Sequence, residues 1–115
     1  MMDYKDLLGI RYTPHGRTKG EGFDCYGLAI EVLRRNGINL RDVWSEKSLE
    51  SQKFVLIEKA EENCLVSIIF CGKQSHIGVY IGEGLMIHTT PSTGVIIEPI
   101  THYKGKIKGF YNVHD

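Results

Sequence analysis

The chain reads as an α+β protein, with one amphipathic helix in its first third and an antiparallel sheet after it. Three observations carry this. Apolar residues between Cys25 and Arg35 recur at helical spacing. The runs from Cys64 onward are short and rich in branched and aromatic residues. Glycine-containing turns separate most of those runs, and a helix followed by strands is the order of an α+β domain.

The helix is predicted over Cys25–Arg35, where Cys25, Leu28, Ala29, Val32 and Leu33 fall on one stripe. Asp24 suits the N-cap, Arg34 and Arg35 place cations against the negative end of the dipole, and Asn36-Gly37 supplies a left-handed stop. The stretch Ser45 to Glu62 mixes helix formers with the apolar run Phe54–Ile57, which fits an edge strand as well. A short helix followed by irregular chain is expected there. Strands are predicted over Cys64–Phe70, His76–Ile81, Leu85–Thr90, Gly94–Pro99 and Ile107–Val113.

A length of 115 residues, 42% of them hydrophobic and 24% charged, suits one domain spanning residues 1–115. The chain has no repeat, low-complexity tract or Pro/Ser-rich linker. Its 14 basic and 14 acidic side chains cancel, so no net field draws it to nucleic acid or an anionic membrane. No apolar stretch approaches the roughly 20 residues of a membrane span. The start MMDYKDLLGI lacks the basic and apolar regions of a signal peptide, so cytoplasmic synthesis without a leader is expected. Cys25, Cys64 and Cys71 match neither CxxC nor a zinc-ligand spacing and read as free thiols. Cys64 and Cys71 bracket an apolar run and read as buried hydrophobes. Trp44 reads as a core or cleft-wall aromatic, and Lys104, Lys106 and Lys108 as the solvated face of the last strand.

Cys25 stands apart because of its neighbours. In the first helical turn, unpaired N–H groups and the positive end of the dipole favour a thiolate. The preceding GRTKGEGFD carries Gly16, Gly20 and Gly22, a loop able to hold the backbone open around the sulfur. Taken alone, the segment fits a buried cysteine equally well. A nucleophilic thiol also needs a base, and HIGVYIGEGLMIH places His76 and His88 on one hairpin. With a three-residue loop, Gly82-Glu83-Gly84, Ile81 opposes Leu85 and Gly78 opposes His88. His76 then shares a face with His88, across the space that Gly78 leaves open. A two-residue loop would put the two rings on opposite faces, so a shared face requires the three-residue loop. His15, His102 and His114 read as structural.

GFDCYGL followed by HIGVYIGEGLMIHTT resembles the NlpC/P60 family of cysteine peptidases, whose pattern is a DCxG helix start, a His-hydrophobic-Gly strand and a second histidine one strand later. The likeness runs from Tyr12 to about Glu98. It implies a reduced papain-like fold, a cysteine-bearing helix packed on an antiparallel sheet that carries both histidines. It further implies Cys25 as nucleophile, His76 as base and His88 as the group orienting that base, with Tyr12 near the oxyanion site. Asp24 reads first as a helix cap, with contact to a substrate ammonium as the alternative. Two departures are visible. Tyr26 stands where the family has a small residue and would reshape the substrate cleft, and Glu62-Asn63 replaces the Gly-Asp turn expected before the first core strand.

The implied reaction is hydrolysis of an amide in peptidoglycan stem peptides, typically the bond from D-glutamate to diaminopimelate or lysine, with no cofactor. DCYGL and the RYTPHGR lead-in further resemble the phage and prophage tail-assembly subset, which implies phage tail partners and delivery to the cell wall on a particle. Two other readings stay open: a non-catalytic docking module on the same fold, and a metal site built from Cys25, His76 and His88.

Overall fold

The computed structural model describes residues 3–42, 54–70 and 74–113. Trp44, Cys71, His114 and the helix expected from Ser45 lie outside these residues, while the run Phe54–Ile57 lies within them.

Helix α1 spans Cys25–Arg35 as predicted. Asp24 is its N-cap, with extended backbone and a carboxylate that accepts from the Gly27 amide at 2.6 Å. Gly37 adopts φ +79° and the Ile38 amide returns to the Leu33 carbonyl, closing the C-terminus.

Ahead of α1, a small hairpin pairs β1 (Arg17–Thr18) with β2 (Gly22–Phe23). Gly16 and Gly22 serve close packing here, not an open loop. A Cβ on Gly16 would overlap the Gly22 carbonyl, and one on Gly22 would overlap the Thr13 hydroxyl. The hairpin also seats the helix start, since a Cβ on Gly27 would overlap the Gly16 carbonyl oxygen. That approach gives the glycine of the DCxG pattern a physical reason.

The main sheet has six strands: β3 (Phe54–Ile57), β4 (Leu65–Phe70), β5 (Gln74–Gly82), β6 (Leu85–Thr90), β7 (Gly94–Pro99) and β8 (Ile107–Val113). Their order is β3-β8-β4-β5-β6-β7, and every pairing is antiparallel. Phe54–Ile57 is therefore the edge strand, not irregular chain, because pairing with β8 satisfies one side of its backbone. Before β4, Asn63 takes φ +72° where the family pattern has a glycine-containing turn, a conformation asparagine tolerates. Of the three lysines expected on the last strand, only Lys108 lies within β8, and all three are exposed.

The sheet buries both faces. On one, Ile77, Val79, Ile87 and Val95 pack with Leu28, Ala29, Val32 and Leu33 of α1 and with Tyr4 and Leu7. On the other, Val66, Ile68 and Met86 pack with Tyr80, Ile107, Phe110 and residues of a 3-10 helix, Ile100–Tyr103. Cys64 is fully buried, as a small hydrophobe would be.

Candidate active site

The β5–β6 hairpin reaches its predicted register by an unpredicted route. The tight turn has two residues, Glu83 and Gly84, both with positive φ, and Gly82 opposes Leu85. Ile81 is an extra residue on β5, a bulge, after which Tyr80 opposes Met86 and Val79 opposes Ile87. The bulge restores the facing that a bare two-residue loop would have reversed.

Pairing between β5 and β6 ends at Val79 and Ile87. Beyond it β5 continues with β4 through Ile77, His76 and Ser75, while β6 continues with β7 as far as Thr90 and Gly94. The sheet thus splits between two strands that each keep another neighbour. His76 and His88 bridge the split on the face away from α1, with His76 Nε2 2.8 Å from His88 Nδ1. Gly78 lies between them, and a Cβ there would stand 3.1 Å from that of His88. Both rings are buried, at 6% and 1% exposure.

Cys25 opens α1 on the opposite face of the sheet and is partly exposed. The Ile77 amide, next to His76 on the stretch of β5 that has left β6, is near enough to stabilise negative charge on the Cys25 sulfur. The helix start and the histidine strand therefore meet at the level of the main chain. Burial pushes the Cys25 thiol above its ordinary value. The Ile77 amide opposes that rise, Asp24 adds to it, and the amides of Tyr26 and Cys25 oppose it again. The donors expected at the helix start are present, but burial outweighs them, so the sulfur rests as a thiol and not as the thiolate expected from the dipole. Burial, with His88 alongside, likewise lowers His76 to about 4, against the weaker pull of Glu98. The resting pair is neutral thiol and neutral imidazole.

Tyr12 pairs with Phe23 in a parallel bridge. Burial raises its phenol, with the nearby Asp24 carboxylate, and Cys25 whenever it ionises, adding to the rise, so it stays a neutral hydrogen-bond donor near the sulfur. Asp24 is buried, and its Oδ1 takes both the Gly27 amide and Arg17 Nη1 at 2.8 Å. Those contacts fit the capping role. Tyr26, expected to shape the cleft, is fully buried instead. Its hydroxyl donates to the Arg41 carbonyl, and the Arg17 guanidinium lies over its ring at 5.9 Å. A ring with no exposed surface cannot line a substrate groove.

Glu98 on β7 was not singled out from the sequence, yet its Oε2 lies 2.8 Å from His88 Nε2. Its other oxygen meets His102 Nδ1 at 3.0 Å, which gives that histidine a partner on the same carboxylate. Burial opposes ionisation of Glu98, but hydrogen bonds from His88 and His102 hold it below the usual carboxylate range. The alternation of β6 carried across the next hairpin is the signal that points to it. Thr90 opposes Gly94 and Met86 opposes Glu98, so Glu98 shares the face of His88. Among the described residues no three His, Cys, Asp or Glu side chains are grouped to hold one metal ion.

A cysteine at the start of a helix, set against an antiparallel sheet whose second and third core strands carry a bonded histidine pair, is the reduced papain-like architecture. The model of the NlpC/P60 family matches residues 9–109. The chain is 37% identical over 108 residues to the gamma-DL-glutamyl hydrolase of Bacillus subtilis, covering 87% of this chain and 24% of that one. It is 33% identical over 99 residues to the murein DD-endopeptidase/murein LD-carboxypeptidase MepS of Escherichia coli, covering 84% and 51%. In structure it resembles an NlpC/P60 family protein from Bacillus cereus, with a TM-score of 0.73 and 25% identity, covering 93% of this chain and 36% of that one. The chain belongs to the NlpC/P60 family. It spans about a quarter and about half of the two curated relatives.

Proposed function

We propose that this chain is a cysteine peptidase that hydrolyses an amide bond in peptidoglycan stem peptides. The observation that carries the reading is the approach of Cys25 to the Ile77 amide, one residue from His76 of the His76–His88 pair, where β5 and β6 split. The names of the relatives, a murein endopeptidase and a glutamyl hydrolase, support the substrate class.

His88 engages Nε2 of His76, so Nδ1, the ring nitrogen nearer the main chain, serves Cys25. His76 takes the thiol proton as the sulfur attacks the carbonyl carbon, which suits a pair that rests neutral. The Cys25 amide and the Tyr12 hydroxyl stabilise the developing oxyanion. The tetrahedral intermediate collapses as His76 protonates the leaving amine, leaving a thioester on Cys25. His76 then draws a proton from water, which attacks the thioester and releases the acid and the thiol. His88 holds the His76 ring and supports its transient charge, as a third member does in other triads.

The finer proposals are the bond from D-glutamate to the diamino acid, and delivery to the wall on a phage tail. The second is supported by the likeness of DCYGL and RYTPHGR to tail-assembly members. Digestion of purified peptidoglycan, read by mass spectrometry of the released muropeptides, tests the whole. Wild type releases fragments with a new terminus at the γ-D-glutamyl position, and Cys25→Ala releases none. Binding without cleavage by both proteins would favour the docking module.

A further inference from the structure

We infer that Glu98 is a positioning residue that sets the tautomers of His88 and, through it, of His76, leaving the His76 lone pair on Nδ1. The use of that lone pair rests on the base role proposed above. The tautomer assignment itself follows from the hydrogen-bond chain.

An ionised carboxylate accepts hydrogen bonds and has no proton to give. At 2.8 Å from Glu98 Oε2, His88 Nε2 must therefore carry the hydrogen, since a lone pair there would face a negative oxygen. Neutral His88 then presents a lone pair at Nδ1, and His76 Nε2, 2.8 Å away, must donate to it. Only Nδ1 of His76 is left as the basic nitrogen. Protonation of His76 during the reaction needs no rearrangement, because the N–H toward His88 is already in place.

The carboxylate is itself held. Pro99 turns the chain into the 3-10 helix, whose His102 takes Oε1 while the Tyr103 hydroxyl lies 3.5 Å from Oε2. The Tyr103 ring stands perpendicular to His88, with centroids 5.6 Å apart, and packs against that ring's side. Among the described residues, the titratable groups facing the pair are Glu98 from β7 and Tyr103 from the 3-10 helix, with His102 on the same carboxylate and Cys25 of α1 near the neighbouring Ile77 amide. Glu98 is the charged member of the set at neutral pH and the one bonded to His88. Its charge favours protonation of both histidines, which burial opposes.

Long-range proton–nitrogen correlation spectra of protein labelled with 15N-histidine read the tautomers without a substrate. In wild type at neutral pH, His76 and His88 are both expected as the Nε2–H form by about tenfold or more, as a charge-assisted hydrogen bond implies. In Glu98→Gln the amide can donate as well as accept, so that preference is expected to fall by about tenfold. The same variant is expected to lower kcat by about 10–100-fold with little change in KM, the scale known for partners that orient a metal-bound histidine. The acid limb of its rate profile moves to lower pH, which loss of packing alone would not cause. An Nδ1–H form of His88 in wild type would overturn the inference even if the variant failed to fold. Unchanged tautomers in folded Glu98→Gln would overturn it equally. Loss of the base role of His76 would show separately, as hydrolysis that survives His76→Ala.

Discussion

Burying two histidines as neutral rings makes the stability of this fold fall as the solution is acidified. The ordinary value of 6.5 for His76 drops to about 4 in the folded chain. Between those values the unfolded chain binds a proton that the folded chain does not, so acid favours unfolding there. The His76 contribution is fully present above 6.5, is lost as the pH falls from 6.5 to about 4, and is constant below. Going from about pH 7 to about pH 5, linkage for this one group amounts to about 2 kcal/mol. His88 is lowered in the same direction and adds to it. Glu31 and Glu98 also sit below their ordinary 4.5, so their losses fall mainly at more acid pH. The assay is urea unfolding followed by circular dichroism at several values between pH 5 and pH 7. Wild type is expected to lose at least about 2 kcal/mol across that range, and His76→Asn to show a fall smaller by about that amount. A flat wild-type profile, or the same slope in both proteins, would refute a His76 held neutral by burial.

Two further outcomes follow from the same structure. Gly27→Ala should gain helix propensity, yet its Cβ would overlap the Gly16 carbonyl oxygen. A net loss of about 1–3 kcal/mol is expected from the forced shift, measured by thermal or urea unfolding; stability equal to wild type would contradict the close seating of the hairpin. The rate of hydrolysis should hold as pH falls and then decline near about 4, where His76 takes up its proton and ceases to be a base. A pH–rate profile that breaks instead near 6.5 would place His76 in open solvent.

The parts of this molecule legible in its sequence are those set by neighbours in the chain. α1 carries its own cap, stripe and stop, and both of its ends fall where they were read. The five core strands were legible from branched residues between turns. The shared face of His76 and His88 was reached through the right register, although the means was a two-residue turn with a bulge at Ile81. A bulge depends on how the strand meets its other neighbours, which local pattern does not record. Phe54–Ile57 needed β8, more than fifty residues further on in sequence, to become a strand. The ionisation of Cys25 was misjudged because the helix start is local while burial is tertiary. Tyr26 was placed at the cleft by its position beside Cys25, yet successive residues at a helix start point in different directions. Glu98 was within reach, because the register that pairs Met86 with it needs only the Thr90–Gly94 turn.

The central claim is that the Cys25 sulfur becomes covalently acylated during turnover. Acid-quenching the protein with a stem peptide in the first turnovers, then mapping its peptides by mass spectrometry, tests it most directly. A thioester on the peptide carrying Cys25, formed in wild type and strongly reduced in His76→Ala, is the predicted result. Stem-peptide hydrolysis with no adduct on Cys25, or hydrolysis that persists in Cys25→Ala, would contradict it.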